Sequence, residues 1–190
     1  MERLYTEGKN FEGVVYSSLT LLKGDVENCR FTNCTFKDLH LSGIKFVDCE
    51  FKDCDLSNAM VKSTGFQNAI FKNCKLLGVN FADCNPFLLS FHFEDCLLNL
   101  SSFYNLKIKG AKFKNCKLHE ADFSGADLTA SSFVNCDLAG AIFDNSILEK
   151  SDFQTAFNYA IDPNSNRIKK AKFSMAGIMG LLYKHDIEIK

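Results

Sequence analysis

The chain has no tryptophan and only two prolines in 190 residues, and its charges almost cancel, with 22 Lys and Arg against 23 Asp and Glu. Near-neutrality removes the bulk electrostatic signal of a nucleic-acid binder, so no direct nucleic-acid contact is expected. No run of about 18 consecutive apolar residues occurs, which argues against a membrane span. The opening Met1-Glu2-Arg3-Leu4-Tyr5-Thr6-Glu7 lacks the apolar core of a secretion signal, so a cytoplasmic location is expected. No glycine-rich phosphate loop is present. His40, His92, His119 and His185 are scattered, without a Ser or Cys partner placed as a triad requires. These absences point to a protein that is not an enzyme and carries no cofactor or metal.

What is present is repetition. From Ala111 to Phe153 the chain reads AKFKN, CKLHE, ADFSG, ADLTA, SSFVN, CDLAG, AIFDN, SILEK, SDF. The third place, here called the centre, is always Phe or Leu, and the first is always Ala, Cys or Ser. A period of five fits neither a helix nor a flat strand. The chain must therefore turn after each unit and bury its apolar side by stacking on neighbouring units, as a solenoid does.

Centres twenty residues apart match in type. Phe31, Phe51, Phe71, Phe93, Phe113, Phe133, Phe153 and Phe173 form one column. Phe36, Leu56, Leu76, Leu98, Leu118 and Leu138 form a second, and Leu41, Val61, Phe81, Phe103, Phe123 and Phe143 a third. Val26, Phe46, Phe66, Leu88, Ile108, Leu128 and Leu148 form the fourth. Four columns imply a four-sided coil. One step, Phe81 to Leu88, is seven instead of five, which places a two-residue insertion near Asn85-Pro86. The place two after the centre is mostly Asn, Asp or Gly, as at Asn33, Asp53, Asn73, Gly78 and Asp83, and is expected to make the corners.

The triplets Ala121-Asp122-Phe123 and Ala126-Asp127-Leu128 carry a resemblance to the pentapeptide-repeat family, extending over about Phe11 to Phe173. The resemblance implies an all-β fold, a right-handed quadrilateral parallel β-helix, here of about 7–8 coils. The expected organisation is a β-helix over 1–173, with an N-terminal cap within 1–25 and a looser last coil over 154–173. Residues 174–190 form a short C-terminal helix and tail that caps the coil.

All nine cysteines occupy the inner small position two residues before a centre, and Cys34, Cys54, Cys74, Cys96, Cys116 and Cys136 fall in one column. Free cysteine packs as a small hydrophobe. No close Cys-x-x-Cys pair marks a metal site, so these read as buried structural thiols.

Three stretches carry the functional expectations. Phe87, Leu88, Leu89, Phe91 and Phe93 are too apolar for one inward column, and Phe91 should crowd its inner small position. The default reading is a bulge that repacks locally; the alternative is an exposed apolar knob for a partner. Lys107, Lys109, Lys112, Lys114 and Lys117 form a basic band, and an acidic stretch follows in which Asp122, Asp127, Asp137, Asp144 and Asp152 are the candidate docking face. Ordinary solvated charge is the plainer reading of both. Ser174 can cap a helix from Met175 to about Lys184, on which Met175, Ile178, Met179, Leu181 and Leu182 recur at helical spacing. The resemblance to family members that act on topoisomerases implies that this helix pairs with its copy in a homodimer. The function read from the chain is a rigid interaction scaffold of unknown partner. The alternative that the resemblance brings is a DNA-mimic modulator of a type II topoisomerase, DNA gyrase, giving fluoroquinolone protection.

Overall fold

The computed structural model describes residues 4–17, 24–87, 89–185 and 187–188. Most units run extended through their centre and then turn at the residue two places later, where φ is positive. Asn33, Asn73, Asn115 and Asn135 have φ of 53°, 50°, 53° and 53°. Asn and Asp enter this left-handed region at low cost, and Gly43, Gly78, Gly110, Gly125 and Gly140 supply the remaining easy corners. The coil also forces Leu100, Glu120, Ala130, Lys150 and Lys170 into the same conformation. The expected corner at Asp83 does not form. Phe81–Asp83 is instead a short 3-10 helix, because Asn80 Oδ1 accepts the Ala82 N–H and starts a tighter turn.

Among the described residues eleven short strands result: β1 Tyr5–Glu7, β2 Asn10–Glu12, β3 Asp25–Glu27, β4 Arg30–Thr32, β5 Lys45–Val47, β6 Glu50–Lys52, β7 Gly65–Gln67, β8 Ala69–Lys72, β9 Phe91–Glu94, β10 Lys112–Lys114 and β11 Ser132–Val134. All pairings are parallel. A seven-stranded sheet, β2-β4-β6-β8-β9-β10-β11, forms the first side of the coil, and its seven strands span six turns. The four-stranded sheet β1-β3-β5-β7 starts the fourth side. The second and third sides are held by single bridges such as Thr35↔Asp55 and Ser102↔Asp122. The chain is thus a parallel β-solenoid with one short C-terminal helix, α1, over Met179–Leu182.

The columns are stacks of side chains. On the first side Phe31–Phe51, Phe93–Phe113 and Phe133–Phe153 stack at 4.9, 5.3 and 4.7 Å, and the stack ends on half-buried Phe173, 5.4 Å from Phe153. Within a coil, rings from opposite sides meet edge to face, as Phe113 meets Phe123 at 5.9 Å and 87°. Offset stacks and edge-to-face pairs are the arrangements the aromatic quadrupole favours.

The inner small position proves to be a donor site. Thr64, Ser101, Ser146 and Ser151 are buried, and their hydroxyls donate to the carbonyls of Leu41, Leu76, Phe123 and Leu128 at 2.7–3.0 Å. The cysteines do likewise: Cys54 Sγ donates to Phe31 O and Cys74 Sγ to Phe51 O, each at 3.4 Å. A buried polar atom must find a partner, and here the preceding coil supplies one.

The insertion lies between Cys84 and Ser90. Asn85 N–H still bonds Thr64 O, and the register returns at Ala69↔Phe91 and Phe71↔Phe93. Phe91 does not crowd. It is 1% exposed, because its neighbours in the inner small column are Ala69 and Ala111, and its ring fills the space towards Phe66 and Phe81. Phe87 is the side chain that reaches solvent, at 68% exposure, while Leu89 turns in. Leu88, which the fourth column includes, lies outside the described residues, as do Met1 to Arg3 and the lead-in from Ser18 to Lys23.

At the C-terminal end Asp137↔Phe157, Ile147↔Arg167 and Asp152↔Lys172 continue the ladder. Asn166 takes an inner small position, its buried amide donating to Phe143 O at 2.8 Å. Ser174 Oγ accepts the Gly177 N–H at 3.0 Å. The helix that follows is shorter than the expected Met175–Lys184: it spans Met179–Leu182 and continues as 3-10 turn over Tyr183–His185. Gly177 and Gly180 explain this, because they press against Tyr159. A Cβ on Gly177 would strike the Tyr159 hydroxyl, and one on Gly180 its backbone carbonyl. Leu181 packs on the core, whereas Met175, Ile178 and Met179 stand exposed, so the helical stripe does not form one buried face.

Candidate interaction surface

Outward residues five apart lie on adjacent sides; only residues about twenty apart share a side. The five candidate acids therefore separate. Asp127 lies on the fourth side between Lys107 and Ile147, Asp137 on the second between Lys117 and Phe157, and Asp152 on the first between Ser132 and Lys172. Each has a basic group near it: Lys109 is 3.2 Å from Asp127, His119 Nε2 2.8 Å from Asp137, and Lys172 3.9 Å from Asp152. Partial burial works against charge at Asp127 and Asp137. Hydrogen bonds outweigh it, from Thr129 and Lys109 in one case and from His119 and Asn158 in the other. Both carboxyls are held below the ordinary range.

Asp122 and Asp144 do come together, on the third side. Sequence reasoning missed that Asp83 joins them, because it read Asp83 as a corner. From Asn80 to Asn145 the outward residues of this side are Asn80, Ala82, Asp83, Ser102, Tyr104, Asn105, Asp122, Ser124, Ile142, Asp144 and Asn145, without a lysine or arginine. Asp83, Asp122 and Asp144 make no ion pair among the described residues. Tyr104 and Ile142 are about half exposed among them, at 52% and 51%.

The basic band is a belt and not a face. Lys107 and Lys109 lie on the fourth side, Lys112 and Lys114 on the first and Lys117 on the second. Lys114 is neutralised by Glu94 at 2.6 Å.

The thiol column Cys34, Cys54, Cys74, Cys96, Cys116 and Cys136 is buried, and none of the nine cysteines is disulfide-bonded. Burial pushes the Cys49 thiol up to about 12 and raises Cys84 as well. Among the described residues no three His, Cys, Asp or Glu side chains converge on a point a metal ion could take, and no helix is long and apolar enough to cross a membrane.

A groove at the C-terminal end runs between the last coil and α1, lined by Phe157, Asn158, Tyr159, Ser174, Met179 and Gly180. Lys184 ties the segment after α1 to Asp162 at 2.7 Å, and Ile161 N–H bonds Gly180 O at 2.9 Å.

Among solved structures, two of QnrB1, described as a plasmid-mediated fluoroquinolone resistance protein, share the fold. Both are trypsin-treated forms carrying one substitution. The first aligns with a TM-score of 0.72 and 16% identity over 98% of this chain and 92% of its own. The second aligns at 0.64 and 17% identity over 98% and 99%. HetL from the cyanobacterium Nostoc sp. strain PCC 7120 aligns at 0.42 and 16% identity over 90% and 87%. No curated protein sequence matches the chain. The family model for a pentapeptide repeat region matches residues 24–103 and 44–123, and that for pentapeptide repeats in eight copies matches 121–156. With the repeat matched over more than half its length and the coil built as that repeat demands, the chain belongs to the pentapeptide-repeat family.

Proposed function

We propose that the protein is a non-enzymatic, cytoplasmic interaction scaffold that works as a homodimer. The observation that carries this reading is the apolar surface at the C-terminal end. Met175, Met179 and Tyr183 are 84%, 50% and 49% exposed, and Phe157, 48% exposed, lines the same groove as Met179. Exposed apolar side chains gathered at one end of a rod mark a contact site, and a two-fold pairing lets one patch cover its own copy. Light scattering on the purified protein tests it. The expected mass is twice the 21.4 kDa of the chain. The double substitution Ile178→Glu, Met179→Glu should give the monomer mass with an unchanged circular dichroism spectrum. A wild-type monomer at high concentration would reject the dimer.

A second reading, a modulator of a type II topoisomerase that protects it from fluoroquinolones, is favoured by the third side, where Asp83, Asp122 and Asp144 recur and make no ion pair among the described residues. The likeness to QnrB1 supports it through the fold alone. A net charge of −1 and the lysine belt weigh against mimicry of a whole duplex. A gyrase supercoiling assay with and without a fluoroquinolone decides: inhibition or rescue supports this reading, and no effect at tens of micromolar removes it.

A further inference from the structure

Resting on the scaffold reading, we infer that the groove beside the insertion is a docking site for an extended segment of a partner protein that presents an arginine flanked by apolar residues. The groove lies on the third side and is lined by Asn80, Asp83, Pro86, Tyr104, Leu106 and Asp122. The bridges Asn80↔Ser102 and Ser102↔Asp122 stack the three coils that build it. Tyr104 is on the middle coil, Asp83 on the coil below and Asp122 on the coil above, each about 4.8 Å away along the axis. In this register Tyr104 stacks between Ala82 and Ser124, so the exposed ring has a carboxylate diagonal to it in each neighbouring coil, Asp83 one residue further along the side and Asp122 two residues back.

Those carboxylates are oriented. Asp83 Oδ2 accepts the Asn80 amide at 3.0 Å, and Asp122 Oδ1 accepts the Ser124 N–H at 2.9 Å. In each case the other oxygen makes no hydrogen bond or ion pair among the described residues. Holding an acceptor in place before binding removes part of the ordering cost. A guanidinium is the group that suits this arrangement, because its plane can lie on Tyr104 while its N–H edges reach carboxylates on either side. Lysine offers a point charge without the plane, and phosphates are repelled.

The insertion supplies the apolar contact. Pro86 forms a wall of the groove, and the next residue, Phe87, projects into solvent. Phe87 is held out by its backbone: its N–H bonds Asn85 Oδ1 at 3.0 Å and its carbonyl accepts from Gln67 Nε2 at 3.5 Å. An arginine on Tyr104 places a neighbouring leucine of an extended peptide within reach of this wall. The two extra residues thus raise an apolar edge beside a side whose acids Asp83 and Asp122 make no ion pair among the described residues.

The test is a titration of the isotopically labelled full chain with acetyl-Ala-Leu-Arg-Leu-Ala-amide, followed by amide chemical shifts. The expected result is shifts centred on Asp83, Tyr104 and Asp122. Affinity should fall about tenfold when citrulline replaces the arginine, and about tenfold in Tyr104→Ala and in Asp83→Asn. Phe87→Ser should weaken binding less and leave the citrulline ratio unchanged. Shifts equally large around Glu149 and Asp152, or an affinity indifferent to Tyr104→Ala, would overturn the site and leave only diffuse charge attraction. A silent groove in a protein that is dimeric by light scattering fails this inference alone; a titrating groove on a monomer fails the dimer alone.

Discussion

The side-chain amide of Asn73 donates to Asp53 Oδ1, one coil away, at 2.6 Å. The relation recurs at Asn58 to Asp38, Asn68 to Asp48 and Asn115 to Asp95, at 3.1, 2.9 and 2.9 Å. Among the described residues, every aspartate that takes the left-handed corner conformation is met by an asparagine in the next coil. Corner stacking brings identical positions within a strand spacing of each other, where two carboxylates would repel and an amide bonds.

Replacing Asn73 with Asp keeps the corner conformation accessible and stacks three carboxylates, since Asp53 lies one coil before it and Asp95 one coil after. The expected cost is about 1 kcal/mol at neutral pH and low salt. It should shrink in 1 M NaCl, where screening is short-ranged. Urea denaturation at both salt concentrations measures it; equal losses would mean that the hydrogen bond, not the charge, was what mattered.

Asp137 joins two coils through His119 Nε2 and Asn158 Nδ2, each at 2.8 Å. Its carboxyl is held below the ordinary range despite partial burial. A carboxyl depressed in the folded state adds stability above its unfolded pKa, and that stability is lost as pH falls through the folded value. Asp137→Asn should therefore cost up to about 1 kcal/mol at pH 7 and close to nothing below about pH 3. Paired urea melts across that window check it.

Gly180→Ala puts a Cβ against the Tyr159 carbonyl and ring. The helix must lift, at a cost of about 1–3 kcal/mol confined to the C-terminal segment. Hydrogen exchange should show lost protection at Ile161, whose N–H bonds Gly180 O at 2.9 Å, while the amides of β10 and β11 remain protected.

Cys49 is 1% exposed, its thiol is pushed up to about 12 by burial, and Sγ donates to Val26 O at 3.3 Å. The folded protein should leave its thiols unmodified by a disulfide reagent over minutes, and all nine should react once it is unfolded. Cys49→Ser, which retains the donor, should change stability by about 1 kcal/mol or less. Cys49→Val, which loses the donor and adds bulk, should cost more.

The columns were legible because burial repeats: the Phe stack from Phe31 to Phe173 follows from the five- and twenty-residue periods. The left-handed corners at Leu100 and Lys150 were not, since nothing in those side chains favours positive φ; the coil imposes it. Reading Asp122 to Asp152 as one face followed the order of the chain, whereas charge sums along a column. Counting outward residues at twenty-residue intervals, with the insertion allowed for, stacks Asn80, Ser102 and Asp122 and puts Asp83, Tyr104 and Asp122 on one side. Phe91 looked oversized because the position was judged alone, when Ala69 and Ala111 leave the room it needs. Gly177 and Gly180 looked like weak helix residues; their contacts with Tyr159 are long-range and have no local signature.

Asn85 and Pro86 are accommodated without shifting the rungs on either side, because the rungs are bonded to residues about twenty positions away, and the bonds between chain neighbours are confined to the corner turns. The same wiring sets how the molecule answers to force. Pulled from its ends, the rod offers no long sheet to shear; the outermost coil peels first and passes the load to the next. Phe31 pairs with Phe51, twenty residues on, so each release frees about 70 Å of extended chain. The trace expected in an optical trap is a sequence of near-equal steps, interrupted by one longer step where the extra two residues lie.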